Sequence, residues 1–556
     1  MGSIKFKNIL LIIPLAIIVL MVFSSISCKA KITEGQISRE DPDIIDGEEG
    51  DSGTQPEVIT ETEENTGDLI DQDSFLTGFN ALYEQGEEPF RLLEYIDDNR
   101  DQISINTLEE VLQILEKSQK AHEGIYMDLL FEEDFQQSMS SVFTYEETGD
   151  DIDKINNDNL KSLLSRIFEG GFKLINLEGS YYPFIDYGSY DKYYPDISQE
   201  FTDYYDVRAA ESDEIYARDA GLVISWEELA LRLINSEKYL MKYPAESIRK
   251  VEVARLFMNY LSAYLYGMNN TPSRDYETNR VLEEVIASFQ KTLQEYPDTV
   301  TGEIVGDYLA LLKGNDYIMT EDTFGVVSQY FKQPIIKYDL DSYFMLMAQM
   351  NEQYYPSEFA ADGYIKLNDG KYQEKYDEQS ATELKISLSD YIAVGDLDGD
   401  GINDASAIII SDPGGSGTFY NLFVFMNKYF YLYNSGEDSP GDRIKVEKLY
   451  IEDQKVYLDM VIHKQDDPLC CPSNEVSRAY VIENDEFLKL IIHTGIIDSI
   501  TDQQIGIILD DDSVLIMMLE GYDLPPGIVE GSTVYVEYYA DYIAEQNILY
   551  YIRKIE

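Results

Sequence analysis

Apolar residues recur three and four positions apart in four long stretches of the chain, Leu108 to Phe131, Ser225 to Pro244, Ile248 to Gly267 and Asn279 to Pro297. That spacing places them on one face of a helix, so each stretch predicts an amphipathic helix. Ser225 ahead of Trp226-Glu227-Glu228 is a capping residue followed by acids in the first turn, the start signal of such a helix. The helical pattern holds from about Phe75 to Gln333. From about Pro356 it yields to runs rich in Val, Ile, Tyr and Phe bounded by turn residues: Lys385 to Asp396, Ala405 to Ser411, Asn421 to Tyr433, Lys445 to His463 and Val476 to Ile492. These predict strands, and Asp369-Gly370 between the short alternating runs of Tyr364 to Tyr376 predicts a hairpin. From Thr494 onward about five more short strands are expected, with turns at Asp510-Asp511-Asp512, Pro525-Pro526-Gly527 and Glu530-Gly531.

Two of the helices end alike, at Ser236 to Pro244 and at Ser288 to Pro297, each followed by another helix. This resembles the helix ends of tetratricopeptide-like arrays, whose surfaces bind other proteins. The strands after Thr494 resemble the five-stranded barrel of the OB-fold. The expected class is therefore multidomain α plus β: a helical bundle or tetratricopeptide-like helical domain over 75–355, a mainly antiparallel β domain over 356–493, and a small OB-like β-barrel over 494–556.

One segment interrupts the helical pattern. Glu178 to Glu214 is too long and too aromatic for an ordinary helix connection. Tyr181, Tyr182, Tyr187, Tyr190, Tyr193 and Tyr194 alternate there with acidic and turn residues. Flat amphipathic rings in such company suit contact with a sugar, a peptide or a cation. The other reading has the rings capping the end of the helical core, their hydroxyls reaching water. Paired carboxylates such as Glu178 and Asp186 have the chemistry for acid–base hydrolysis, although acids are so frequent in this chain that chance supplies many such pairs.

Charge narrows the partners. The 556 residues carry 105 acidic and 42 basic side chains, a formal net charge of -63. Such a surface repels nucleic acid, which is bound by Lys and Arg neutralising phosphate. It fits either a solvated surface tolerant of high salt or an affinity for cations. At the N-terminus Lys5 and Lys7 precede an apolar run from Ile9 to Phe23 and small residues leading to Cys28, the layout of an export signal. Ser25-Ile26-Ser27-Cys28 resembles the lipobox of bacterial lipoproteins, in which the Cys is lipidated; it departs from the usual pattern at Ser25, where Leu is preferred. Residues 1–28 are thus expected to be a lipoprotein signal peptide with Cys28 as the lipidated residue, the alternative being an uncleaved signal anchor. Either outcome places the rest of the chain on the extracytoplasmic face of a membrane. Residues 29–74, acidic and almost without aromatics, cannot bury enough apolar surface to offset chain entropy and read as a disordered tether.

The stretch Val394 to Asp404 carries the clearest chemistry. Asp396, Asp398 and Asp400 alternate on a loop whose Gly399 and Gly401 permit a tight turn, Ile402 offers a carbonyl, and Asp404 stands at the ninth position. Alternate carboxylates on such a loop are oxygen donors for Ca2+. An EF-hand would require Glu at the twelfth position, where Ala407 stands, and a helix afterwards; here a strand follows. The pattern DxDxDGxxD resembles the FG-GAP repeat of integrin-like and bacterial surface proteins, in which the loop joins two strands. That family uses several copies to close a propeller, and this chain has one convincing loop, so the resemblance implies a structural calcium within a single β domain.

Cys470 and Cys471 are adjacent and, outside the cytoplasm, suit a vicinal disulfide. Free buried thiols, or a metal held with His463, Asp466 and Asp467, are the alternatives, although no further Cys or His cluster completes a tetrahedral site. The region from about Tyr391 to Ile492 resembles a domain of uncharacterised bacterial envelope lipoproteins. Taken together, the expectation is a lipid-anchored, calcium-stabilised module of the cell envelope that binds or scaffolds a protein, peptide or glycan, without enzymatic activity. The alternative is an envelope hydrolase using carboxylates of the Tyr-rich segment.

Overall fold

The computed structural model describes residues 70–132, 134–144, 146–147, 149–244, 246–247, 249–376, 382–483, 486–509, 513–519, 522–541 and 546–555. The segment expected to be an export signal, Cys28, nearly all of the segment expected to be a tether, and the turn expected at Asp510 to Asp512 lie outside these residues. The architecture is mixed α and β, with 13 helices among the described residues, antiparallel sheets, and a closed barrel of five strands. Among the described residues no helix is long and apolar enough to cross a membrane. The chain divides into two compact units, Met1–Ser225 with Asn269–Thr271, and Trp226–Met268 with Pro272–Glu556. The stretch 75–355, expected as one helical domain, contributes helices to both.

In the first unit the helix Ile105–Leu130 starts at Ser104, whose hydroxyl accepts the Thr107 N–H, and buries Leu108, Val111, Leu112 and Leu115 along one stripe. Strands β1 (Glu146–Glu147), β2 (Phe172–Leu177) and β3 (Ser180–Ile185) form a three-stranded antiparallel sheet. The Tyr-rich segment is regular structure: it supplies β3, a 3-10 helix over Tyr187–Asp196 and an α-helix over Gln199–Asp213. Two short strands, β4 (Ala217–Arg218) and β5 (Gly221–Leu222), pair beyond it.

The second unit opens with helices. Trp226–Lys242 and Glu283–Glu295 stop just before Pro244 and Pro297, and each is followed by another helix, Arg249–Tyr266 and Val300–Gly314. Proline has no N–H to continue the ladder and disfavours helical backbone in the residue before it, which explains both stops. Strands β6 (Tyr354–Pro356) and β7 (Tyr364–Lys366) pair with each other. The hairpin expected at Asp369-Gly370 differs in an instructive way. Both residues have positive φ, 51° and 72°, and the turn closes through an Asn368–Lys371 bridge. The strand that follows, β8 (Lys371–Lys375), pairs with β9 (Glu383–Gly395) and not with β7. Gly370 donates its N–H to Asn351 and accepts from Leu388, so contacts distant in sequence redirect the chain into another sheet.

That sheet continues through β10 (Asp404–Asp412), β11 (Phe419–Lys428) and β12 (Tyr431–Asp442) in the order β12-β11-β10-β9-β8. Central β10 is buried almost throughout because both sheet faces are covered, so its apolar residues do not follow a strict alternation, and Ser406 is buried among them with its hydroxyl donating to the Phe423 carbonyl. One face, with Ala405, Ala407 and Ile409, packs on Leu346, Met350, Tyr355 and Ile365. The other, with Ile408, packs on residues of β13 (Lys445–Glu452), β14 (Lys455–Ile462) and β15 (Asn474–Glu483). Strand β16 (Glu486–Ile500) first pairs with β15 and then enters the barrel, so the boundary expected between 493 and 494 falls inside one continuous strand. The barrel runs β16, β17 (Gln504–Leu509), β18 (Val514–Met518), β20 (Gln546–Lys554), β19 (Thr533–Asp541) and back to β16, with β18 and β20 parallel. Its interior is filled by Ile497, Ile505, Ile507, Met517, Val534, Val536 and Ile552.

Candidate metal centre

The loop 396–403 joins β9 to β10, with Asp404 paired to Gly395 across its mouth. Leu397 and Ile402 are buried in the core, which pins both ends of the loop, while Asp398 between them is exposed. Gly399 and Gly401 take φ of 75° and 84°, a left-handed backbone that costs a residue with a Cβ. The carboxylate of Asp396 accepts N–H groups from Gly399, Asp400 and Gly401 at 2.7, 3.1 and 2.9 Å, which winds the loop around it. Asp404 is 2% exposed; its two oxygens accept the N–H of Leu397 and of Asn427, each at 2.8 Å. Burial pushes its carboxyl up to about 7, against the opposing effect of those two hydrogen bonds. Burial and the charges of Asp400 and Asp396 likewise raise Asp398.

Oxygens of Asp396, Asp398 and Asp404 lie within 4.8 Å of one another, and among the described residues this is the one group of three acidic, His or Cys side chains so placed. Ca2+ holds oxygens at about 2.3–2.6 Å, so two ligands on opposite sides of the ion stand at most about 5 Å apart. The triad fits that limit, and its donors are the hard oxygens such a cation takes. No protein family, curated protein or solved structure matches this chain.

Asp400 is placed differently from the expectation. One of its oxygens accepts the Ile402 N–H, and the other pairs with Lys332 Nζ at 2.9 Å, which also donates to the Asp400 carbonyl at 3.1 Å. The loop is tied down a second time where Asn403 donates its N–H and its side-chain amide to Asp341. Lys332, Asp341 and Asn427 carry no local sequence signal, because each reaches the loop only through the fold. Ile402 contributes a buried side chain and a backbone N–H.

The tyrosines do not form an exposed ligand face. Tyr181, Tyr187, Tyr190 and Tyr193 are at most 2% exposed. Their hydroxyls donate inward, Tyr181 to the Thr144 carbonyl, Tyr187 to Glu116, Tyr190 to Gln119 at 2.6 Å and Tyr193 to Asp97 at 2.7 Å. Tyr182 and Tyr194 are half-buried; the first packs on Phe131 and the second donates to Asp206. Acids elsewhere in the unit supply acceptors, so the rings cap the helical core through carboxylates and carbonyls instead of through water. Glu178 lies in the β2–β3 turn and Asp186 beyond the far end of β3, so a six-residue strand holds the two roughly 20 Å apart. They do not converge.

Glu116 sits at the middle of this network. It is 7% exposed and accepts from Tyr204 and Tyr205 at 3.0 Å and from Tyr187 at 3.5 Å. Burial raises its carboxyl above the ordinary value of 4.5, outweighing Lys120, Arg208 and the two tyrosine bonds. A carboxyl raised on folding favours the native state below its unfolded value, and that advantage is lost as pH climbs through the raised one. Across the window just above 4.5, the melting temperature of Glu116→Gln minus that of the native chain is expected to grow with pH. Calorimetry from pH 4 to 8 checks this, and a flat difference would refute it.

Cys470 and Cys471 are joined by a disulfide in the loop between β14 and β15. Asp467 closes that loop by accepting the N–H groups of Lys464 and Ser473 and the Ser473 hydroxyl. The His463, Asp466 and Asp467 set offered as a metal alternative is not brought together as a metal-binding group among the described residues.

Proposed function

We propose that the chain is a calcium-stabilised binding or scaffolding module, held at the extracytoplasmic face of a cell envelope by a lipid on Cys28, with a protein, peptide or glycan as partner. The observation that carries the calcium reading is the convergence of Asp396, Asp398 and Asp404 on a strand–loop–strand turn. Burial first, and then the charges of Asp400 and Asp396, disfavour the ionised form of Asp398; a divalent cation bound beside these carboxylates would favour it. The barrel order β16-β17-β18-β20-β19 with one parallel contact supports an OB-like reading of the C-terminal strands, and the paired helices of the second unit support the tetratricopeptide-like one. The acidic surface argues against nucleic acid as the ligand of either.

At affinities usual for extracellular calcium modules, about 10⁻⁴ to 10⁻³ M, 10 mM Ca2+ adds about 1.4 to 2.7 kcal/mol to stability. Calorimetry of the full-length chain is expected to show one transition moving up in Ca2+ and returning in EGTA, and the shift is expected to vanish in Asp398→Ala. Identical transitions in the two buffers would sink the calcium reading.

A further inference from the structure

The second unit contains a cavity of about 200 Å3 between the five-stranded sheet and the strands that cover it. Ile386, Ile409 and Phe423, from the adjacent strands β9, β10 and β11, form its floor, closed by Tyr355 and Ile365 of β6 and β7; all five are at most 3% exposed. Register explains why the lining changes towards the mouth. On this face Ile386 stands opposite Ser411, Ile409 opposite Asn421, and Phe423 opposite Glu437, so the apolar floor turns polar at the outer positions. Ser439 and Glu358 complete the mouth, with Ser439 accepting the Asn421 amide at 2.8 Å.

Two features define what this cavity takes. Its volume is below the usual 300–1,000 Å3 of drug-sized pockets and suits a group about as large as one amino-acid side chain. Its charge is one-signed: Glu358 and Glu437 line it, and no Lys or Arg does. Neither carboxylate has an ion-pair or hydrogen-bond partner among the described residues, and both are exposed, so a cation meeting them keeps part of its hydration and escapes the full desolvation penalty of a buried pair. The net charge of -63 adds attraction at longer range. An anion is repelled at the same mouth, and a neutral molecule gains only the apolar floor.

We infer that the cavity binds a primary ammonium carried on a short hydrocarbon, the hydrocarbon on the floor and the charge at the mouth with Glu358 and Glu437. The same chemistry is offered by a free alkylamine and by a lysine side chain of a peptide. This inference rests on the reading of the chain as a binding module and is independent of the calcium loop.

The test is titration of the full-length chain with hexylammonium, 1-hexanol and hexanoate, read by isothermal calorimetry and by chemical-shift changes. Saturable one-to-one binding of hexylammonium is expected, at least about tenfold tighter than hexanol, with hexanoate not binding. In Glu358→Gln/Glu437→Gln, two exposed changes that leave the floor intact, that preference is expected to fall below about threefold. Hexanol binding as tightly as hexylammonium, a preference that survives the double substitution, or no saturable binding at all would each overturn the proposal. A blocked Gly-Lys-Gly peptide that binds like hexylammonium, and fails when its lysine is acetylated, identifies a peptide as the source; rejection of that peptide identifies a free amine. Calcium is titrated into the same samples. A chain that responds to calcium but not to the amine refutes this inference alone, and the reverse result refutes the calcium reading alone.

Discussion

Asp404→Ala is expected to destabilise the second unit by about 2–4 kcal/mol even in EGTA, where no cation is bound. The side chain accepts the N–H groups of Leu397 and Asn427, and both bonds are buried. Alanine leaves the two donors without acceptors, at about 1–3 kcal/mol each, while relief of a desolvated carboxylate offsets part of the loss. Asp398 supplies the contrast. It is exposed and bonds only within the loop, accepting the Asp400 N–H, so Asp398→Ala is expected to change stability in EGTA by less than about 0.5 kcal/mol while removing the calcium response. Urea denaturation in EGTA and in Ca2+ separates the two roles. If Asp404→Ala proves no more destabilising in EGTA than Asp398→Ala, the structural role assigned to Asp404 is wrong.

Glu237→Ala is expected to cost about 3–5 kcal/mol, because it leaves several buried donors without an acceptor at about 1–3 kcal/mol each, partly offset by removal of a desolvated carboxyl. Glu237 lies on the helix Trp226–Lys242, is 3% exposed, and accepts the N–H groups of Val300 and Thr301, the Thr301 hydroxyl and the Tyr338 hydroxyl. Val300 and Thr301 open the helix Val300–Gly314, so one helix caps the next with a charge placed at its positive end. Burial and the neighbouring Glu237 hold the Tyr338 hydroxyl well above the ordinary tyrosine range, which keeps it a donor. Tyr338→Phe removes a single bond and is expected to cost about 1 kcal/mol. Comparable losses in the two variants by urea denaturation would contradict the capping role.

Both predictions depend on contacts that local pattern does not reveal. The helices were legible because an apolar stripe at helical spacing must be buried on one side, as Leu108, Val111, Leu112 and Leu115 are. The loop of alternating acids was legible because its carboxylates lie within nine consecutive residues, whose turn is set by Gly399 and Gly401. The tyrosines were ambiguous for a physical reason: an amphipathic ring suits a ligand face and a buried cap equally until its hydroxyl has an acceptor. Glu116, Gln119 and Asp97, far back along the chain, supply those acceptors.

The sequence by itself, which did not show strands β1 to β5 within the helical stretch, determined the four long amphipathic helices and the strands after about residue 356, where the loop of alternating acids falls, and that the chain is strongly anionic. These follow from periodicity, turn chemistry and charge, which act over a few residues or over the whole composition. Tertiary structure alone decided the rest. It turned Asp400 away from the Asp396, Asp398 and Asp404 group towards Lys332, made Asp404 a buried acceptor for Asn427, and carried β16 through from the sheet into the barrel. It also sent the strand after Asp369-Gly370 to a different sheet from the one before it. The reason is common to all four: each depends on which distant residue meets a backbone group or a charge, and that is chosen only when the elements pack.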